Sequence, residues 1–560
     1  MRSERRDAGR ILATEKRGMA VLTSPALNKG SAFTAEERIA LGLTGLLPPS
    51  ISKLEDQQQR AYTSYRRLPD ALSKNIYLTA LHDRNETLFY RLFTGHLPEM
   101  IPIVNDFTVG MALAHYQHEF RRPRGVYLSI DAPEAIEASF VNLRAEPDGI
   151  DLILATDAEQ ILGLGDWGIG GIEVAIGKLA IYTAAGGIDP ARAIPVMLDV
   201  GTNRESLLED PMYIGNRHRR VRGEKYDTFI DAYVKAITKL FPKALMLWED
   251  FAPANGRRIV EKYRNRIHTF SDDMQGTGAI VLATVVSALR ICRTPLRKQR
   301  VVLFGAGTAG IGIASQLRDA MMADGLTEEE ATRRIWCVDK QGLLIRNNRD
   351  QLPDYQAAYA RPASEVKDNK VSLAETVHRV QPTMLIGASS APGAFTEAIV
   401  RDMASHVDRP IIFPLSKPEQ CAEATPADLI AWTGGRALIA TGSPFSPVTY
   451  KGVTYVIGHI TNAKLYPGLC LGSIVSGARR VSDGMLAAAA NAVSSLVTVG
   501  QAGASLLPHI DDLRAVSLTV AIAVAEAAVA EGLGKLPPGD IAGQVEAAMW
   551  QPEYRQIQAC

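Results

Sequence analysis

Val301-Val302-Leu303-Phe304-Gly305-Ala306-Gly307-Thr308-Ala309-Gly310 runs from a β-branched strand through a GxGxxG turn into a helical pattern. Glycines at these three places let the chain turn tightly and let a pyrophosphate approach the backbone at a helix N-terminus. A GxGxxG alone is a weak signal. Its setting between strand and helix favours a dinucleotide site, with a glycine-rich turn that holds no nucleotide as the alternative. Downstream, RIWCVD ends an apolar strand on Asp339, where a carboxylate would accept hydrogen bonds from the adenosine ribose and repel a 2′-phosphate. NAD is therefore expected over NADP, although Lys340 beside it softens the exclusion.

Outward from this unit the same alternation continues. TMLIGAS, PIIFPLS and ALIATGS read as strands after it; VYLSI, DLILATD and AIPVMLDVG read as strands before it, separated by helical runs such as VAIGKLAIYTAAGG. Such alternation predicts parallel sheets with helices on both faces. Residues 35–120 place apolar side chains at helical spacing with little strand signal, and the last hundred residues return to Ala-rich helices. The expected fold is α/β. Residues 1–124 form a helical N-terminal region, and 125–271 plus 462–532 a parallel-sheet catalytic domain. Residues 272–461 form an inserted Rossmann-type NAD-binding domain, and 533–560 a helical C-terminal tail.

Composition excludes several classes. The 560 residues carry 61 Lys+Arg against 61 Asp+Glu, with 46% hydrophobic and 22% charged residues. That is a globular chain of several domains, without the basic excess of a nucleic-acid binder or the apolar poverty of disorder. Cys292, Cys337, Cys421, Cys470 and Cys560 are scattered with no CxxC, which points to reduced thiols in a cytoplasmic compartment and away from a cysteine zinc site. Residues 1–18 lack the apolar core of a secretory signal and read as a loosely ordered leader. The Ala/Val-rich run 515–530 reads as a buried helix rather than a membrane span. The basic cluster Arg217–Gly223 reads as a solvated or subunit-facing element.

Carboxylates stand where strands end. Glu249 and Asp250 follow the apolar ALMLW, and Asp272 and Asp273 precede a long apolar helix. Hard cations such as Mg²⁺ or Mn²⁺ take several oxygen ligands, which such groups supply; for either aspartate alone, a helix cap is the competing reading. Lys178 interrupts an apolar helix, where the ordinary expectation is a lysine reaching to the surface.

Taken together, LGLGD, GKLAIYTAAGGIDP, PVMLDVGTN, DPMYIGNRHRRVRGEKYD, WEDFA, NRIHTFSDDMQGT, LFGAGTAGIGIA, VDKQGLL and ATGSPFSPV resemble the malic enzymes, in the same order, from about Tyr62 nearly to the end. The resemblance implies oxidation of L-malate by NAD(P)⁺ with a divalent metal, and decarboxylation to pyruvate. It also implies Glu249, Asp250 and Asp273 as metal ligands, Lys178 as the base for the C2 hydroxyl, and Asp272 as its carboxylate partner. Asn462 would hold the substrate, and Gly305, Gly307, Gly310, Asp339 and Ser443 the dinucleotide. The resemblance also implies a homodimer or homotetramer, which the sequence alone does not show.

Three departures fall on the substrate. In PIVYTPTVG of the family the tyrosine that protonates C3 is Asn105 here; in ERILGLGD the carboxylate-clamping arginine is Gln160; in LSNPT the substrate-contacting asparagine is Lys417. Gln160 removes one positive charge and Lys417 restores one, while Lys464 adds another cation before the YPG turn. The implied substrate is therefore malate or a malate-like 2-hydroxy acid with a β-carboxylate, in a pocket rearranged around a different or larger anion. A silent nucleotide-binding paralogue or regulatory subunit is the alternative, disfavoured by retention of the carboxylates and Lys178. Retention of oxidation or decarboxylation alone is a third reading.

Overall fold

Runs rich in Val, Ile and Leu become strands here because a parallel sheet covered on both faces accepts an apolar side chain at every position. In the computed structural model, which describes residues 11–105, 107–119, 122–161, 163–346, 352–366, 371–537 and 539–560, every residue of Leu152–Thr156 and Leu245–Glu249 is buried. The architecture is α/β, as the alternation predicts. Two compact units form: one of the residues up to Phe251 with Cys470–Arg479 and Leu533–Cys560, the other of Ala252–Leu469 and Arg480–Gly532.

In the first unit the strands Val126–Ser129, Ala193–Asp199, Leu152–Thr156 and Leu245–Glu249 lie side by side in that order, all parallel. Val126 faces Val196, and Leu152 faces both Ala193 and Leu245. The helix Ile172–Gly186 buries most of its length and stops at Gly187, whose left-handed φ of 67° closes the last turn. Helices between Leu54 and His115 form the expected helical N-terminal region. Of the leader expected to be loose, residues 1–10 lie outside the described residues. Leu12–Thr14, by contrast, is a strand pairing in parallel with Ile557–Ala559. Leu12 and Ile557 join Val21, Phe33, Leu41 and Leu43 in a small core of their own, and that burial outweighs the charged flanks.

The basic cluster needs a correction at its centre. Arg220 is not solvated: its side chain is fully buried, with Nε 2.8 Å and Nη2 2.7 Å from the two oxygens of Asp166 and Nη1 3.8 Å from Asp157. Tyr226 donates to the other Asp157 oxygen at 2.8 Å, and Arg222 pairs with Glu159. These basic residues therefore hold both ends of the loop 157–166, which carries Gln160.

The second unit is a seven-stranded sheet in the order Gly458–His459, Leu438–Thr441, Ile411–Pro414, Met384–Gly387, Val301–Phe304, Ile335–Asp339, Gly342–Leu343. All neighbours are parallel except the last pair. Strand order reverses between Val301–Phe304 and Met384–Gly387, so a crevice opens at their carboxyl ends, where doubly wound sheets take ligands. Val302, Leu385, Ile412 and Ile439 pack with Phe395, Val400 and Met403 on one face. A hairpin of Val448–Tyr450 and Val453–Tyr455, turning on Lys451 and Gly452 at positive φ, was not foreseen in the sequence reading. The stretches Gly168–Gly186, Asp272–Cys292 and Ile510–Ala530 are long and apolar enough to cross a membrane, with 78%, 67% and 44% of each buried within the protein. In the last, Val516, Val520 and Val524 form the buried stripe of the helix Leu513–Ala530.

Arg220→Leu should strand the buried Asp157 and the half-buried Asp166 and cost about 3–5 kcal/mol of stability. Urea denaturation checks this, and a loss within error of zero would show that the network is solvated after all.

Candidate active site

In the first unit, Lys178 sits on the helix Ile172–Gly186 with its side chain 18% exposed, and its ammonium donates to Glu249 Oε1. It does not snorkel to solvent. Glu249 is the last residue of its strand and fully buried, and Asp250 follows it, buried, with φ 59°. A left-handed non-glycine residue at a strand end is a strained conformation that clusters at functional sites. The Asp250 carbonyl accepts from the Gln160 backbone N–H at 3.0 Å, so the exposed Gln160 is tied to this strand end. Asn105 arrives from the end of the helix Leu97–Val104. A Cβ on Gly177 would lie 2.5 Å from the Val104 carbonyl oxygen and 3.5 Å from Asn105 Oδ1. The glycine before Lys178 is thus what lets Asn105 lie against the lysine's helix.

In the second unit, Asp272–Gly276 form a π-helical turn ahead of the helix Thr277–Cys292, a device found mostly at functional sites. Asp272 is buried; Asn462 Nδ2 donates to its Oδ1 at 3.3 Å, and the Tyr466 hydroxyl donates to its carbonyl at 2.7 Å. Asp273 is half-buried in the same turn. Any side chain on Gly276 would collide with Tyr466, its Cβ falling 0.4 Å from the hydroxyl oxygen.

The three glycines of the GxGxxG turn differ in what surrounds them. Gly305 has φ 101° and would place a Cβ 2.3 Å from the Ala388 carbonyl oxygen. Gly310 would place one 1.9 Å from the Gly305 carbonyl oxygen, so it sets how closely the helix Thr308–Ala323 packs on its strand. Gly307, at the N-cap, faces open space, which leaves backbone amides accessible to a phosphate. Asp339 ends its strand half-buried, its Oδ2 accepting from Gln356 Nε2 at 3.0 Å. The same nitrogen donates to the Ala306 carbonyl at 2.9 Å, joining the acidic residue to the glycine turn.

Lys417 and Ser443 follow the strands Ile411–Pro414 and Leu438–Thr441, Lys417 half-buried and Ser443 buried. Next to Lys417 in the chain, Ser416 bonds through Oγ to Glu423, which is fully buried and accepts from Ser389 N at 2.9 Å and Ser389 Oγ at 2.8 Å. Glu423 fastens the loops after two neighbouring strands. His459 Nε2 donates to the Gly442 carbonyl at 3.1 Å, and Lys464 Nζ to the His459 carbonyl at 3.0 Å. Burial, with Lys417 and Lys464 nearby, pushes His459 down to about 3, and burial lowers Lys464 to about 8.

Two family models cover most of the chain: the malic enzyme N-terminal domain matches residues 82–264 and the malic enzyme NAD-binding domain residues 274–529. The NAD-dependent malic enzyme 3 of Bacillus subtilis is 56% identical over 98% of this chain and 98% of its own. The chain belongs to the malic enzyme family. A malolactic enzyme of Lactiplantibacillus plantarum is 46% identical over 96% of this chain and 98% of its own. Among solved structures, a malic enzyme of Entamoeba histolytica shares the fold with TM-score 0.57 at 19% identity, over 92% of this chain and 91% of that one. The class expected of the sequence, an NAD-dependent decarboxylating oxidoreductase, is the class of this malic enzyme family.

Against that background Gln356 and Glu423 are the residues sequence reading missed. Each lies in a segment of ordinary polar composition, and only its burial marks it.

Lys464 supplies a stability test. Its folded pKa lies below the unfolded one, so folding favours the neutral amine: the group's contribution is complete above the unfolded value near 10.5 and lost as pH falls through about 8. Lys464→Met should therefore stabilise the protein at pH 7, by an amount on the order of 3 kcal/mol, and the gap should narrow between pH 8 and 10.5. Thermal unfolding across that range checks the sign; a destabilised variant at pH 7 would contradict it.

Proposed function

We propose that this chain is a metal- and NAD-dependent oxidative decarboxylase of malate or a malate-like 2-hydroxy acid. The observation that carries the reading is Lys178, held on Glu249 beside Asp250 at a strand end instead of reaching solvent. In this proposal Glu249, Asp250 and Asp273 hold Mg²⁺ or Mn²⁺; three carboxylates are a hard oxygen donor set that fits such a cation. When bound, the cation would polarise the C2 oxygen and NAD⁺ would accept the hydride. Lys178 takes the C2 hydroxyl proton, with Asp272 as its carboxylate partner. Asn462, anchored through Asp272, presents its amide to the substrate. The backbone around Gly307 receives the pyrophosphate, Asp339 the adenosine ribose, and the turn at Ser443 lines the dinucleotide.

The substrate pocket is read as altered. Asn105 cannot act as a general acid, and Gln160 offers a neutral amide where a guanidinium would clamp a carboxylate. Lys417 returns the lost positive charge from a different loop. A second reading, CO₂ release without net NADH formation, gains support from the relative named as a malolactic enzyme. We further propose folding units divided at 124, 271, 461 and 532, a homodimeric or homotetrameric assembly, a cytoplasmic location, and no nucleic-acid or membrane partner. The neutral charge balance and the free thiols support the latter two.

Spectrophotometric NADH formation with Mn²⁺ and malate, with CO₂ measured in parallel, tests the proposal: equal amounts of both are expected, and CO₂ alone would establish the second reading. Asp273→Ala should abolish metal-dependent turnover while NAD⁺ still binds; turnover surviving exhaustive chelation would refute the metal. Isothermal titration should show NAD⁺ binding more tightly than NADP⁺. Malate turnover should be poor, since loss of a positioned acid costs ~10²–10⁴-fold, and Asn105→Tyr, Gln160→Arg and Lys417→Asn introduced together should raise it. A kcat for malate of about 10 s⁻¹ or more in the unmodified protein would show the pocket is not altered.

A further inference from the structure

The second unit buries a lysine that no acidic side chain pairs among the described residues. Lys464 is 4% exposed, on the short turn Asn462–Lys464 that also carries the substrate amide of Asn462. Among the described residues it forms no ion pair; its one hydrogen bond goes to the His459 backbone carbonyl, leaving two of its three N–H donors for another acceptor. The His459 ring beside it spends Nε2 on the Gly442 carbonyl and is neutral, so it neither repels an anion as a charge nor replaces one. Lys417 stands close enough to act electrostatically on the same ring. With Lys417 answering one carboxylate of the substrate on the reading above, Lys464 is surplus. A buried ammonium without a counter-charge costs stability, and a charged acceptor in the bound ligand would remove that cost.

We propose that Lys464 binds a further carboxylate of the substrate, which makes the substrate a malate bearing an acidic substituent on C3. The inference rests on the 2-hydroxy-acid reading above. On that reading the 1-carboxylate and C2 oxygen face the metal ligands, and the β-carboxylate that leaves as CO₂ is served by Lys417. The added acidic group reaches the Asn462–Lys464 turn.

Calorimetric titration of the full chain, loaded with NADH and Mg²⁺, separates the outcomes. The probes are malate, 3-(carboxymethyl)malate and its uncharged isostere 3-(carbamoylmethyl)malate. The acid should bind about tenfold or more tightly than the amide, as a charge-assisted bond to a buried ammonium would give. That ratio should collapse in Lys464→Met and persist in Lys464→Arg. Because the acid–amide comparison is made on the unmodified protein, it does not depend on any variant folding. Equal binding of acid and amide, or a ratio that survives Lys464→Met, would overturn the inference while malate binding leaves the 2-hydroxy-acid reading standing. Weakened NADH binding in Lys464→Met would also overturn it, by assigning the lysine to the cofactor. If no 2-hydroxy acid binds the NADH-loaded protein, both readings fall.

Discussion

Strands covered on both faces leave charge to their two ends, and the candidate functional residues of this chain gather at the carboxyl ends. Leu245–Trp248 is apolar throughout, and the next two residues are Glu249 and Asp250. Val301–Phe304 gives way to the glycine turn, Ile335–Val338 to Asp339, Ile411–Pro414 to the loop of Lys417, and Leu438–Thr441 to the loop of Ser443. The backbone at these ends has left the ladder, so it can turn at positive φ, as at Asp250 and Gly305, and can present amides or carboxylates that the sheet interior would not tolerate.

Features of this kind were legible in the sequence because they are local. Gly305, Gly307 and Gly310 announce a turn because a strand pattern precedes them and a helical pattern follows, and the alternation around them predicts a doubly wound sheet. Arg220 was misread because its meaning lies in Asp166, 54 residues earlier. A run of basic residues looks solvated until its partners are known. Glu423 and Gln356 escaped notice for a related reason: a carboxylate or amide that bridges two loops has no sequence signature, since the bridge exists only once both loops are placed. The Lys451–Gly452 hairpin turn is short and its strands are only three residues each, too little for periodicity to register.

Lys464 joins these themes. In sequence it is a lysine before a YPG turn; in the fold it is a buried cation whose hydrogen bond to a backbone carbonyl satisfies only part of its valence. The same lysine is a buried charge that a ligand can neutralise. Residues that break a local rule at a site's edge are where function is most often found.

The pairing of Leu12–Thr14 with Ile557–Ala559 also bears on how the protein is made. Translation is vectorial, and the partner strand of Leu12 leaves the ribosome only after the whole of the second unit. The stretch Leu533–Cys560 belongs to the first unit but is synthesised after all of the second. The second unit has its entire chain available earlier, whereas Val21, Phe33 and Leu41 wait for Ile557 to complete their cover. The entropic cost of closing so long a loop grows only logarithmically with its length, so the delay taxes the rate of maturation and the nascent chain's exposure to aggregation rather than the stability of the finished enzyme.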